Sequence, residues 1–190
     1  EHAEDLEEFT SITFGEEQEF SKKDAIVVGG MVTRIVKKFD RRNREMAFFD
    51  LDCLGGHAEV IAFSDCFKSY GHLIEEGNVV FVKGKPSDGT DFSDLKIMGD
   101  EIIPVDRVRD RLSQRLNIKF PSGETKPEDV DELMSMAKQY PGECRLVFHL
   151  PNNGSPRPMK VMAHNIKIST DREFIRSLRA KYGKDNVWVE

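Results

Sequence analysis

The sequence has no apolar run near the roughly 20 residues that a membrane-spanning helix needs, so we expect no membrane partner. Its first residues are acidic, unlike the basic and then apolar start of a signal peptide. The cysteines (Cys53, Cys66 and Cys144) are three in number, widely spaced and without a C-x-x-C pair. This odd number argues against a disulfide framework and favours a reducing, cytoplasmic location.

Sequence motifs of catalysis are also absent: there is no glycine-rich phosphate loop, no G-x-S-x-G and no H-E-x-x-H. Asp50 and Asp52 share one face of a predicted strand. Some metal-binding carboxylates are arranged in this way, but so are ordinary polar residues on the outer surface of a sheet. Neither a third acidic residue nor a histidine stands directly beside them. We therefore predict no catalytic site, no cofactor and no metal in this chain. It begins with Glu1 rather than Met, which predicts a fragment of a longer protein.

Charge is distributed unevenly along the chain. The net charge is −6, yet residues 1–24 alone contain nine acidic and two basic residues. The short stretch 34–44 has the opposite balance, with a single acidic residue, Asp40, among six basic ones. A polyanion responds to local rather than net charge, so this stretch is a candidate nucleic-acid contact. The six basic residues are Arg34, Lys37, Lys38, Arg41, Arg42 and Arg44.

The hydrophobic pattern divides the chain into three parts. Residues 1–24 are predicted to be a solvated linker or the end of an upstream helix. Residues 25–105 predict three strands, a short helix starting at Ser64 and ending at Gly77, and two more strands. The long first strand contains Gly29–Gly30, where the absence of side chains allows a bulge and a sharp bend. This order is typical of a five-stranded β barrel of the oligonucleotide-binding type, the OB-fold.

Residues 106–190 predict a connecting helix through Leu116, followed by elements in the order β-α-β-β-α-β. A helix begins near Pro127, and a later one follows a Ser/Thr cap. This order indicates a small α+β sandwich domain. Its last helix and strand are a candidate protein-docking surface, because basic side chains face outward there and a tryptophan lies near the chain end. The candidate residues are Arg172, Arg176, Arg179 and Trp188.

Two adjacent phenylalanines follow the basic stretch, and neighbours on a strand point to opposite faces. Phe49 shares a face with Ala47 and Leu51, which predicts a place in the barrel core. Phe48 is then predicted to be exposed, where an unpaired base could stack on its ring while the nearby cations hold phosphates. Asp50 on the same face argues against phosphate binding, and a bulge would exchange the two phenylalanines.

The tracts "VVGGMVTRIVKKFDRRNREMAFFDLDC" and "IIPVDRVRDRLSQRLNIKF", with the closing "KYGKDNVWVE", resemble the C-terminal region of the bacterial DNA polymerase III alpha subunit. The likeness extends over about residues 24–190. It implies that the polymerase active site lies upstream and is absent here. It also implies a barrel near the single-stranded DNA template and a last domain that contacts the clamp-loader tau subunit. The family's sliding-clamp motif lies around or upstream of the barrel, so a sliding clamp is an implied further partner; "QEF" at 18–20 is too short to be assigned to it.

Two alternatives remain open from the sequence. The barrel could be a structural spacer or a protein-interaction module whose basic loop pairs with acidic groups elsewhere, an interpretation that Asp50 and Asp52 favour. It could also be an RNA-binding barrel of translation, against which the tract 102–120 argues.

Overall fold

A computed structural model describes residues 2–14, 24–87, 95–120, 127–151 and 158–190. The chain divides after Val108 into two compact units, each of which is described by itself below. The strands are β1 (Ile26–Phe39), β2 (Glu45–Cys53), β3 (Gly56–Ala62), β4 (Val79–Pro86), β5 (Leu95–Pro104), β6 (Arg115–Lys119), β7 (Pro141–Leu150), β8 (Met159–Ile168) and β9 (Val187–Val189). The α-helices are α1 (Ala3–Phe9), α2 (Ser64–Tyr70), α3 (Val108–Leu112), α4 (Pro127–Ala137) and α5 (Arg172–Tyr182).

The first unit is a closed barrel with strand order β1-β2-β3-β5-β4, which confirms the predicted OB-type barrel. The long strand β1 closes it by pairing with β4 through its first half and with β2 through its second half. The change of partner occurs at Gly30, where a Cβ atom would lie 2.7 Å from the Asp52 carbonyl oxygen. Only glycine lets the two backbones approach so closely at this bend.

Alternate residues of the strands fill the barrel interior. Ala47, Phe49 and Leu51 are buried on β2, so the predicted inward direction of Phe49 is confirmed. Phe67 from α2 packs against this core at one end of the barrel, together with Tyr70 and neighbouring apolar residues.

The N-terminal segment differs from the predicted linker. Leu6 on α1 packs over Gly29, and the Phe9 ring meets the Phe81 ring edge-on at a centroid distance of 6.3 Å. Ile12 is also buried in the barrel core. The linker prediction was therefore wrong for residues 3–14, because their apolar side chains find a glycine-lined surface on the barrel to cover.

The helix after β3 is shorter than predicted. It starts at Ser64 but ends at Tyr70, with one turn of 3-10 helix after it, and Gly77 instead occupies a turn with φ of 87° before β4. Ser64 was predicted to be the N-cap, whereas Phe63 has that position. The Ser64 hydroxyl is used elsewhere, as described below.

The second unit is a four-stranded sheet of order β8-β7-β6-β9, and the β-α-β-β-α-β order is confirmed. Both α4 and α5 pack on the face that carries Leu116 and Ile118 of β6. The predicted connecting helix was too long, because α3 ends at Leu112 and Leu116 enters the strand as a core residue. The cap of α5 is Asp171, whose carboxylate accepts backbone N–H bonds from Glu173 and Phe174.

Candidate nucleic-acid interface

The turn between β1 and β2 is organised by one carboxylate. Asp40 Oδ1 accepts backbone N–H bonds from Arg42 at 2.8 Å and Arg44 at 2.9 Å. Its Oδ2 accepts from Arg44 Nε at 2.9 Å and from the Ser64 hydroxyl at 2.9 Å. Asn43 has φ of 57°, the left-handed conformation that its side chain tolerates better than most. The turn is therefore a defined structure attached to the start of α2.

These donors change the acidity of Asp40. The backbone N–H of Arg44, aided by Ser64, Arg42 and the Arg44 side chain, holds the pKa of the Asp40 carboxyl far below its ordinary value. Donors to a carboxylate favour its charged form, so Asp40 remains ionised while it orders the turn. The single acidic residue of the basic stretch thus has a structural use.

The six basic residues of this stretch point in different directions. Arg41 and Arg42 are exposed at the tip of the turn, with no ion pair or hydrogen bond to their side chains among the described residues. Arg44 forms an ion pair with Asp40 and also lies 3.5 Å from Asp65, although its side chain stays 48% exposed. The two arginines of the tip are therefore exposed cations without an acidic partner among the described residues.

The three cations on β1 divide between the two sides of the strand. Lys38 lies on the outer face with its Nζ 4.9 Å from the centre of the Phe48 ring. Lys37 lies on the other side, 5.7 Å from the centre of the Phe67 ring of α2. Arg34 forms an ion pair with Asp50 at 3.8 Å. Only Lys38 and Arg34 of this group share the outer face with Phe48.

Phe48 is half-buried rather than fully exposed, and Lys38 covers part of its ring. It belongs to an apolar row that crosses the outer face of the barrel. Strand pairing aligns Phe48 with Ile61 of β3, and Ile61 with Met98 of β5, all three half-buried. Phe63 follows directly after β3 and is 48% exposed. We call these four residues the outer apolar strip.

Three members of the outer apolar strip were not predicted from the sequence: Ile61, Phe63 and Met98. The alternation of β3 carried a signal for two of them, since Ala58, Val60 and Ala62 point inward and Ile61 and Phe63 must then point outward. The third depended on the parallel pairing of β3 with β5, which no local pattern reveals.

A row of charges runs beside the outer apolar strip. Asp50 and Glu59 are cross-strand neighbours, and each has a cation at hand: Arg34 for Asp50 and, at 4.0 Å, Lys96 for Glu59. These exposed pairs contribute little stability, but they place a cation beside Glu59 and beside Asp50, the acid that argued against phosphate binding on this face.

Two open grooves adjoin α2. The first, of about 860 Å³, is lined by cations and acids around the Phe67 ring, namely Lys37, Arg44, Glu45, Asp65, Lys68 and His72 among others. The second, of about 500 Å³, we call the Phe63 groove; its lining includes Phe63, Asp65, Tyr70, Lys85, Met98 and Asp100. The Phe63 groove is continuous with the outer apolar strip through Phe63 and Met98.

The described residues contain no group of three or more histidine, cysteine or acidic side chains that could hold a metal ion. All three cysteines are free, and burial raises the pKa of Cys66 and of Cys144 to about 11. Among the described segments, no helix is long and apolar enough to span a bilayer. The tripeptide at 18–20 lies outside the described residues.

The candidate docking residues of the second unit do not form one surface. Arg176 is exposed on α5, whereas Arg179 donates from Nε to the Val187 carbonyl oxygen at 3.4 Å and so helps to hold β9. Arg172 is half-buried at the start of the same helix. Trp188 lies on the other face of the sheet, because its neighbours Val187 and Val189 point toward the helices.

Trp188 is half-buried against a polar cluster. Its ring lies 4.8 Å from that of His149, and its indole N–H donates to Glu190 Oε1 at 3.3 Å. His149 shares a hydrogen bond of 2.9 Å with Asn117 Oδ1, and burial lowers the pKa of its imidazole. Exposed cations on the same face surround this cluster: Lys119, Arg145 and Lys160.

A closed five-stranded barrel with a basic turn and an apolar outer strip defines the class of oligonucleotide-binding folds. Comparison with protein families agrees, since residues 26–105 match the OB-fold nucleic acid binding domain. Residues 116–183 match the family described as DNA polymerase III alpha subunit, C-terminal domain. The resemblance inferred from the sequence is confirmed by both matches.

Individual relatives give the same result. The chain is 22% identical to DNA polymerase III subunit alpha of Pseudomonas fluorescens over 88% of its length, and 24% identical to that of Borreliella burgdorferi over 90%. It is 22% identical to the same subunit of Halalkalibacterium halodurans over 99% of its length. The chain spans only 14% to 16% of these curated relatives.

Proposed function

We propose that this chain is an accessory C-terminal module of a replicative DNA polymerase alpha subunit, and that its barrel binds the single-stranded template. The observation that carries the proposal is the turn Asp40–Arg44, which presents Arg41 and Arg42 beside the outer apolar strip. Phosphates would contact these cations and Lys38, while unpaired bases would contact apolar side chains. Such binding is tolerant of sequence and depends strongly on salt.

The distribution of the basic residues assigns them different uses in this proposal. Arg41, Arg42 and Lys38 would contact phosphate, and Arg34 would do so from its pair with Asp50. Arg44 would keep the turn in shape through Asp40. Lys37 lies on the side of α2 and would contact the bound DNA only if the DNA continued past the turn.

The experiment is fluorescence anisotropy of a labelled single strand of about 16 nucleotides, the upper site size for one OB-fold. Wild-type protein is compared with Arg41→Ala/Arg42→Ala over a range of salt. We expect the slope of log K against log salt to become shallower by about 1.4 in the variant, since each lost phosphate contact with a single strand removes about 0.7. The control Arg107→Ala/Lys184→Ala removes the same charge from exposed residues that are not part of the basic stretch 34–44.

The competing function is a structural or protein-interaction spacer. The ion pairs Arg34–Asp50 and Lys96–Glu59 favour it, because cations already paired within the barrel are less available to DNA. Absence of wild-type binding at low salt would support the spacer and refute the DNA proposal. Equal losses in the turn variant and in the charge-matched control would do the same.

For the second unit we propose docking of the clamp-loader tau subunit. The support is the family match of residues 116–183, together with the exposed cations Lys119, Arg145 and Lys160 around Trp188. A half-exposed tryptophan with a basic surround suits an acidic partner segment that has one apolar anchor. We further propose the cytoplasm as the location, where free thiols are the ordinary state.

A further inference from the structure

We propose that the Phe63 groove holds one unstacked base of the bound single strand, with the Phe63 ring as the stacking surface. The inference rests on the proposed DNA binding by the barrel and identifies where a base is held. It moves the main stacking contact from Phe48 to a residue at the end of β3.

Phe63 is positioned beside the basic turn by a hydrogen bond of its neighbour. The Ser64 hydroxyl donates to Asp40 Oδ2 at 2.9 Å, and Asp40 is the residue that orders the turn. A strand whose phosphates contact Arg41 and Arg42 would therefore pass directly by the Phe63 ring. The Ser64–Asp40 hydrogen bond would then fix the distance between the phosphate contacts at Arg41 and Arg42 and the base contact at Phe63.

The exposure of the two aromatic rings favours Phe63 over Phe48. Phe63 is 48% exposed and lies outside the barrel core, so its ring is available. Phe48 is half-buried and already has Lys38 over its ring. A base could stack on Phe48 only after displacing that lysine, whereas none of the described cations lies over the Phe63 ring.

The lining of the Phe63 groove suits a base rather than a phosphate. Asp65 and Asp100 contribute carboxylates, which repel phosphate but accept hydrogen bonds from the amino groups of bases. Met98 supplies a polarizable apolar surface beside the ring. Lys85, the cross-strand neighbour of Met98, also lines the groove and would contact the phosphate that follows the base. The volume of about 500 Å³ lies within the range of ligand pockets, about 300 to 1,000 Å³.

A base can enter this groove only when it is unpaired, because a duplex keeps its bases stacked inside the helix. The Phe63 groove would therefore favour single strands over duplexes of equal charge, which a basic turn alone would not do.

The test compares Phe63→Ala with Leu54→Ala, which removes a side chain of matched exposure, 47%, at the turn between β2 and β3. We expect Phe63→Ala to weaken single-strand binding about 5- to 150-fold, because base stacking is lost. The slope of log K against log salt should stay unchanged, because no phosphate contact is lost. Phe63→Tyr keeps a ring and should bind as wild type does. Photocross-linking with an iododeoxyuridine-substituted strand should label Phe63 or Met98.

The outcomes separate the two proposals. If wild-type protein shows no salt-dependent binding, the proposed DNA function fails and this inference fails with it. If wild-type protein binds but Phe63→Ala matches Leu54→Ala, the DNA function stands and the stacking site is refuted. A thermal unfolding curve identifies a misfolded Phe63→Ala protein; the inference then depends on the cross-link, and a label confined to Phe48 would refute it.

Discussion

The two units use a β-sheet in different ways to present positive charge. In the barrel, Arg41 and Arg42 are held together in a turn ordered by Asp40, next to an apolar strip. In the second unit, Arg176 and Trp188 lie on opposite faces of a four-stranded sheet. Concentrated charge beside apolar side chains suits a flexible polyanion, whereas dispersed charge around one aromatic residue suits a folded or peptide partner. Under the two proposals, the same residue types would therefore have different uses in the two units.

The substitutions with the largest expected effect test whether the two units unfold independently. A Cβ at Gly84 would collide with the Met98 carbonyl oxygen in the barrel, and one at Gly142 would collide with the Ser169 backbone nitrogen in the second unit. We expect Gly84→Ala and Gly142→Ala each to destabilise their own unit by about 3 kcal/mol, because backbone cannot move aside cheaply. Hydrogen exchange with mass spectrometry resolves the two units.

The exposed neighbours Lys83→Ala and Glu143→Ala serve as controls, with expected changes within about 0.5 kcal/mol. Faster exchange in both units after either glycine substitution would contradict separate stability. The comparison of the two units would then describe two parts of one cooperative structure.

Much of this fold could be predicted from the sequence because local patterns determine it. Alternation on β2 identified Phe49 as a core residue, and Gly29–Gly30 marked the bend that lets β1 pair on both sides. Asn43, a residue type that tolerates positive φ, has φ of 57° in the turn. The order of elements in the second unit was likewise recovered from helical and strand periods.

The remainder depended on tertiary contacts. Leu116 continues a helical pattern, but burial in the sheet places it in β6. Leu6, Phe9 and Ile12 recur at loose helical spacing in the acidic segment, but the docking of α1 could not be predicted without the surface around Gly29.

In the candidate site, the ion pair of Arg34 with Asp50 and the contact of Arg44 with Asp65 depend on partners on other elements. The sequence identified the stretch that carries the positive charge, but it did not show which of its cations are free of acidic partners.

A smaller effect concerns the two faces of the second unit. If the tau subunit binds the face of Trp188, we expect Trp188→Ala to weaken binding about 30-fold, the loss typical of a hot spot of about 2 kcal/mol. Arg176→Ala, on α5, should change it less than about threefold. Titration calorimetry measures both affinities.

Trp188 is the single tryptophan of the chain, so fluorotryptophan labelling gives one fluorine NMR signal that reports this face. We expect the signal to shift on addition of the tau subunit. A loss of affinity in Arg176→Ala with an unshifted signal would assign docking to the helix face instead.

The smallest expected effect concerns the acid stability of the turn. Donors lower the pKa of Asp40 in the folded protein below the value of about 3.9 expected when it is unfolded. Its contribution is therefore fully present above about pH 4 and is lost as the pH falls toward the folded pKa. We expect Asp40→Asn to lower Tm by a few degrees at neutral pH, and this difference to narrow below about pH 4. The exposed Glu76→Gln serves as the control and should follow wild type throughout. A Tm difference that stays constant into strong acid would mean that the turn does not depend on the charge of Asp40. Electrostatics would then not explain why the basic residues are held together in the barrel but dispersed in the second unit.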